Sequence, residues 1–99
     1  MSTPAQNYET AMDDSADDGV REAAIGELET ANECDKLADI ARSDDLAEEY
    51  RERSLTGLAH PQCKPVLREL AEGDNLPDSL REQADSLLDE IPDDAGAGP

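Results

Sequence analysis

The chain has 99 residues, a length that allows one domain. It carries 26 acidic residues against 8 basic ones, for a net charge of −18, and only 36% of its residues are hydrophobic. This acidity argues against direct binding of nucleic acid, because contacts to phosphates need a basic patch. Low hydrophobicity with high net charge is also typical of disorder. The apolar residues nevertheless keep a helical spacing that recurs with a fixed period, which predicts a folded core.

The two ends of the chain are predicted to be flexible tails. Residues 1–14 are polar, contain Pro4 and show no sustained apolar period, and residues 93–99 read DDAGAGP. The first twelve residues lack both a basic start and an apolar run, so no export signal is expected, and no stretch is long enough to span a membrane. Cys34 and Cys63 are then most simply free thiols in a reducing cytoplasm.

A nine-residue segment occurs three times, beginning at residues 20, 50 and 80. The copies are VREAAIGEL at Val20–Leu28, YRERSLTGL at Tyr50–Leu58 and LREQADSLL at Leu80–Leu88. Each copy begins with an apolar residue and Arg-Glu, and ends in Leu. The interval between copies is the same both times, and a fixed period of this size is typical of folds built from stacked repeats. The sequence therefore predicts a repeat domain over residues 15–92.

The segments between these copies repeat as well. Leu37, Ile40, Ala41, Asp44, Asp45 and Leu46 recur at the same interval as Leu67, Leu70, Ala71, Asp74, Asn75 and Leu76. Apolar residues at helical spacing predict five helices. Their expected ranges are about 16–31, 33–43, 46–59, 63–72 and 77–91. The predicted fold is all-α: two helical hairpins followed by one closing helix.

Polar residues before three of these helices are candidate caps. Ser15 precedes the first helix and Asn32 the second, while Asp45 and Glu48 have the spacing of a capping box at the start of the third. Gly57 lies within the third helix at a cost of about 1 kcal/mol in helix propensity, which indicates a close approach of helices there.

The third copy departs from the first two at one core position. Ile25 and Leu55 are replaced by Asp85. A repeat that receives no neighbour needs a polar outer face, so the fifth helix is predicted to cap the stack.

This order of helices, with its fixed period and its Arg-Glu after the first apolar residue, resembles HEAT-like repeats. It is most similar to the short variant found in phycobilin lyases and in many stand-alone bacterial and archaeal proteins. The resemblance covers residues 15–92. It implies a short α-solenoid whose second helices line a concave protein-binding face, and it implies no activity. The alternative is a plain antiparallel helical bundle whose hairpins are similar by accident.

The composition resembles that of proteins from extremely halophilic archaea. Lys36 and Lys64 are the only lysines beside six arginines, and Phe and Trp are absent. Such a surface stays soluble when salt screens it and repels itself in dilute buffer. The fold is therefore expected to gain stability with salt.

The second helix of each predicted hairpin carries charges of both signs beside its apolar stripe. These candidate partner-binding residues are Asp35, Lys36, Asp39, Arg42, Lys64, Arg68, Glu69 and Glu72. A strip of mixed charge can pair with a complementary protein and set its association rate. The alternative is a solvated face with local ion pairs, which the spacing of Asp39 and Arg42 fits. A non-enzymatic adaptor that binds another protein is the leading hypothesis, and association with copies of itself is a further possibility.

Cys34, His60 and Cys63 carry the rival hypothesis of an enzyme accessory, a redox protein or a metal-binding protein. A stack of repeats brings the starts of the second helices near each other, so three soft ligands are available for zinc. No fourth ligand and no CxxC motif is present, and the chain holds no catalytic motif. No metal or other cofactor is therefore expected.

Overall fold

The structure is a computed structural model that describes residues 3–91, and this part of the chain is helical without any strand. Six α-helices follow one another: α1 Pro4–Met12, α2 Asp18–Thr30, α3 Cys34–Arg42, α4 Glu48–Gly57, α5 Lys64–Glu72 and α6 Asp78–Glu90. A single 3₁₀ turn, Pro61–Cys63, precedes α5. The prediction of an all-α fold is confirmed. The predicted tail at residues 93–99 lies outside the described residues.

The helices form three pairs in a constant register. The odd-numbered helices begin at residues 4, 34 and 64 and the even-numbered ones at 18, 48 and 78, so the interval from one pair to the next does not change. We call α1 with α2 unit 1, α3 with α4 unit 2, and α5 with α6 unit 3. Helices pack most closely within a unit. Between units, α2 contacts α4, α4 contacts α6, α1 contacts α3 and α3 contacts α5.

The first helix corrects the prediction of a flexible tail over residues 1–14, and the count of five helices is one too few. Thr3 and Gln6 form a capping box at the start of α1, in which each side chain bonds the backbone of the other residue. Asn7 and Thr10 stand where α3 has Leu37 and Ile40. Because these two positions are polar in α1, this helix lacks the apolar stripe on which the prediction of the other helices depended.

The arginine of the repeated segment has a structural role that its sequence pattern did not reveal. Its guanidinium donates a hydrogen bond to a carbonyl at the end of the preceding helix. The bonds run from Arg21 Nε to the Ala11 carbonyl at 3.0 Å, from Arg51 Nε to the Ala41 carbonyl at 2.9 Å, and from Arg81 Nη1 to the Gly73 carbonyl at 3.3 Å. The last carbonyls of a helix lack partners within that helix and attract positive charge. Each arginine therefore joins the two helices of its own unit.

The three predicted caps at helix starts are wrong. The backbone N–H and hydroxyl of Ser15 both donate to the Asp13 carboxylate, so Ser15 holds the loop before α2 and does not cap it. These bonds, that of the hydroxyl first, lower the pKa of Asp13. Asn32 has a φ of 58° and ends α2, because asparagine tolerates the left-handed conformation better than most residues. Ala47 occupies the cap position before α4, where Asp45 was expected.

The positions that face the next unit are apolar and buried inside the stack, and they are exposed at its ends. Ile25 and Leu55 are fully buried, whereas Asp85 is exposed at the equivalent position of unit 3. At the other end, Val20 is 51% exposed, although its equivalent Tyr50 is 2% exposed. The outer faces of the first and third units are thus the two faces that have no neighbouring unit within residues 3–91.

The contact between units 1 and 2 includes a polar cluster around Tyr50. The Tyr50 hydroxyl donates a hydrogen bond to the Asp18 carboxylate, and the Arg21 guanidinium lies 4.3 Å from the centre of the Tyr50 ring. The bond to Asp18 and the burial of the phenol raise the pKa of Tyr50. The same pair of helices is joined by Arg53 Nη1, which lies 2.8 Å from Glu29 Oε1. These contacts fix the register of α4 against α2.

Candidate functional site

The eight predicted partner-binding residues all lie at the surface, on two helices that contact each other. We call them the α3–α5 face. Asp35, Asp39, Arg68, Glu69 and Glu72 are exposed, and Lys36, Arg42 and Lys64 are partly exposed. The neighbouring α3 and α5 therefore present these charges side by side.

Three cations of the α3–α5 face are held by the chain itself. Arg42 Nη2 lies 2.8 Å from Asp39 Oδ1, one turn before it, and Lys36 Nζ lies 3.7 Å from Glu33 Oε1. Lys64 Nζ donates to the carbonyl of Ile91 at 3.4 Å. The Asp39–Arg42 pair is the local ion pair that the spacing predicted. Exposed pairs of this kind contribute about 0–1 kcal/mol each, so they remain available for exchange with a partner.

Arg68 differs from every other arginine of the chain. It is exposed on α5, and it makes no hydrogen bond or ion pair with the residues that the structure describes. The remaining five arginines bind either a helix-end carbonyl or a carboxylate. In a chain with 26 acidic residues, an arginine left without a carboxylate is the clearest candidate contact for an external group.

An open cleft of about 560 Å³ adjoins the α3–α5 face at Arg42. Its lining comes from the loops that join α3 to α4 and α5 to α6, and from the helices beside them. The lining residues are Arg42, Asp44, Arg51, Asp74, Asn75, Leu76 and Pro77. Arg51 Nη2 is buried without a hydrogen bond and lies 3.7 Å from Asp44 Oδ1. The lining offers charges of both signs but no thiol, hydroxyl or imidazole. It can therefore hold a polar side chain, whereas it supplies no nucleophile with a neighbouring base.

Cys34 and Cys63 form a disulfide, so the prediction of two free thiols is wrong. The constant register of the units places the starts of α3 and α5 next to each other, and the two Cα atoms are 5.4 Å apart. Pro61 cannot continue α4, and His60 before it is extended, with a φ of −151°. The following 3₁₀ turn carries Cys63 into the core. The cytoplasmic location, which rested in part on free thiols, stays a prediction.

The disulfide removes two of the three predicted zinc ligands, Cys34 and Cys63, in this form of the chain. Both sulfurs are bonded to each other, so neither is a thiolate ligand beside His60. Within residues 3–91, no group of three or more His, Cys, Asp or Glu side chains is arranged to hold a metal ion. The Nε2 atom of His60 is buried without a hydrogen bond, while the His60 carbonyl accepts one from the backbone N–H of Cys63.

None of the protein-family models, curated proteins or solved structures compared with this chain matches it. Among residues 3–91, no helix combines the length and apolar character needed to cross a membrane.

Proposed function

We propose that this chain is a short α-solenoid of the HEAT-like kind that acts as a non-enzymatic protein-interaction module. In this proposal another protein binds the α3–α5 face, and the chain serves as an adaptor or scaffold. The observation that carries the proposal is the row of three helix pairs in one register, because such rows present an extended surface that suits protein partners.

Arg68 is the residue on which we expect binding to depend most. Arg68 has no partner among residues 3–91, so its guanidinium can bind a carboxylate of another protein through two parallel hydrogen bonds. Arginine is also among the residues that most often dominate the binding energy of interfaces. The partner is therefore expected to place an acidic side chain over α5.

The charges around Arg68 favour a partner whose surface carries both signs. Glu69 and Glu72 follow Arg68 on α5 and are exposed, and the Asp39–Arg42 pair lies on the adjacent helix. Charge complementarity of this kind sets specificity and association rate more than raw affinity. In a halophilic archaeal cytoplasm, as the composition suggests, these contacts would form at high salt, where only short-range pairs contribute.

The test begins with the partner itself. Proteins crosslinked to the chain in a salt-rich lysate are identified, and each candidate is then purified and titrated against the chain by calorimetry in the same salt. We expect Arg68→Ala to weaken binding about ten-fold or more, since a lost charge-assisted contact at an interface costs about 2 kcal/mol or more.

Arg53→Ala is the matched control, because it also removes one arginine charge, but from a partly exposed position on α4, away from the α3–α5 face. This variant should bind the partner within about two-fold of the unmodified chain. Equal losses for the two variants, or full binding by Arg68→Ala, would show that the partner does not use this face.

A further inference from the structure

The two sulfurs of the disulfide differ in their access to solvent. Cys34 is the first residue of α3 and is partly exposed at the edge of the core. Cys63 belongs to the core cluster and has no exposed surface. Of the two cysteines, only Cys34 thus has exposed surface from which a dissolved thiol can approach the disulfide. This asymmetry fixes which sulfur is attacked and which one leaves.

The charges around the disulfide are unusual for this chain. The only two lysines follow the cysteines closely, Lys36 two residues after Cys34 and Lys64 directly after Cys63. Ammonium groups and a helix start stabilise a thiolate, whereas the carboxylate of the neighbouring Glu33 destabilises it. Lys36 Nζ lies 3.7 Å from Glu33 Oε1 and partly offsets that carboxylate. The ammonium groups of these lysines contact Glu33 and the carbonyl of Ile91, so Lys36 lowers the opposing effect of Glu33 on a thiolate at Cys34.

We propose that Cys34 is a site of reversible exchange with small thiols, with Cys63 as the buried resolving cysteine. In the first step a thiolate of the small thiol attacks Cys34 Sγ, and a new S–S bond forms as the Cys34–Cys63 bond breaks. The bonding electrons leave with Cys63 Sγ, which takes a proton from solvent. The product is a mixed disulfide on Cys34 and a thiol on Cys63.

Two reactions then compete for this mixed disulfide. The Cys63 thiolate attacks Cys34 Sγ, restores the original bond and releases the small thiol. Alternatively, a second small thiol attacks the sulfur of the first, which leaves Cys34 as a thiol and produces the oxidised form of the small thiol. The small thiol is the reductant in this second case, so the electrons balance. The link between units 2 and 3 is open in both the mixed disulfide and the reduced form.

The experiment uses the full chain, folded in multimolar KCl, with cysteamine as the probe because its thiol carries a cationic amine. Exchange is stopped with acid, free thiols are alkylated, and the peptides containing Cys34 and Cys63 are measured by mass spectrometry. We expect cysteamine on Cys34 in at least about ten-fold excess over Cys63, since access decides which sulfur reacts. Equal labelling of the two cysteines overturns the proposal, and so does a chain that retains two free thiols after oxidation with diamide.

The urea dependence of the exchange rate separates reaction in the native state from reaction after unfolding. We expect a rate that stays constant within about two-fold at low urea concentrations, because attack on a partly exposed sulfur needs no global unfolding. A rate that rises with urea in parallel with global unfolding overturns the proposal.

Single variants provide the control for access, with circular dichroism used to select conditions in which both are folded. In Cys63→Ser the remaining Cys34 thiol should react with the neutral reagent 4,4′-dithiodipyridine about 100-fold faster than the Cys63 thiol does in Cys34→Ser. Similar rates in the two folded variants contradict the asymmetry. None of these readouts involves a partner protein, so their failure leaves the proposed binding function unaffected.

Discussion

The arginine of the repeated segment offers the sharpest test of how the units are held together. In Arg51→Met a buried guanidinium is replaced by an apolar side chain, and the carbonyl of Ala41 loses the hydrogen bond that it accepts at 2.9 Å. Arg51 is only 8% exposed, so little water reaches the abandoned carbonyl. A hydrogen bond from a charged group contributes about 1.5–3 kcal/mol, and a buried polar group left without a partner costs a similar amount.

Arg81 and Arg53 provide comparisons for the effect of Arg51→Met on stability. Arg81 bonds the Gly73 carbonyl at the longer distance of 3.3 Å, and its side chain is 36% exposed. Arg53 makes only a surface ion pair with Glu29. We therefore expect Arg51→Met to lower the free energy of unfolding by about 2–3 kcal/mol, Arg81→Met by about 1 kcal/mol, and Arg53→Met by about 0–1 kcal/mol.

The measurement is urea unfolding followed by circular dichroism at one fixed high salt concentration. Each variant removes one positive charge, so the added repulsion between acidic groups is similar in all three and largely cancels in the comparison. Replacing a buried ionic group by an apolar one is neutral in some proteins. A larger loss for Arg51→Met than for the other two variants would therefore be evidence that its bond to the Ala41 carbonyl stabilises the fold. If Arg53→Met or Arg81→Met destabilises the chain as much as Arg51→Met does, the arginine–carbonyl bond is not what stabilises the unit.

Four further perturbations test other parts of the fold. Gly26→Ala should stabilise the chain by about 0.5–1 kcal/mol in urea unfolding, because the residue lies within α2 and an added Cβ would meet only Arg53 Nη2 at 3.5 Å; a loss of stability would show that the site is tighter than this. The double variant Cys34→Ala/Cys63→Ala should lose about 3.5 kcal/mol, since the disulfide joins residues 29 positions apart and restricts the unfolded chain, whereas an unchanged urea midpoint would contradict that argument. The raised pKa of Tyr50 favours the folded state fully below the ordinary tyrosine pKa of about 10, and that contribution is lost as the pH rises through the folded-state value. Stability measured from about pH 9 to 11 should therefore fall more steeply for the unmodified chain than for Tyr50→Phe, and parallel curves would exclude this linkage. With a net charge of −18, the unmodified chain should also become more stable between about 0.1 and 2 M KCl, and salt-independent unfolding would count against the halophilic interpretation.

The parts of the fold that sequence reasoning located are those where repetition and apolar spacing agree. Residues 18–30 and 34–42 form helices close to the predicted ranges, because leucines and isoleucines mark one face of each. The predicted close approach at Gly57 is confirmed, since a Cβ there would lie 3.4 Å from Glu29 Cβ. The predicted charges of α3 and α5 are at the surface for the same reason: they lie off the apolar stripes.

The first helix could have been found from weaker signals. Ala11 precedes Ala41, and Asp14 precedes Asp44, by the same interval that separates the repeated segments. The repeat therefore extends into residues 1–14, which were predicted to be a tail. The pattern of Thr3 and Gln6 also marks a helix start. What sequence reasoning could not supply was the bonding of the cysteines. The register brings two helix starts together, but whether the sulfurs bond depends on side-chain placement within a few ångströms.

The positions where the repeat fails carry as much information as those where it holds. Asn7 donates a hydrogen bond to Glu27 on the outer face of unit 1, at positions where unit 2 has Leu37 and Gly57 against its neighbour. Asp85 occupies the equivalent boundary of unit 3 and is exposed. A unit inside a stack has two faces to cover with apolar residues, whereas a terminal unit has one, so selection for solubility acts on its other face. The same polar residues that hid α1 from a search for apolar stripes thus mark the end of the described stack.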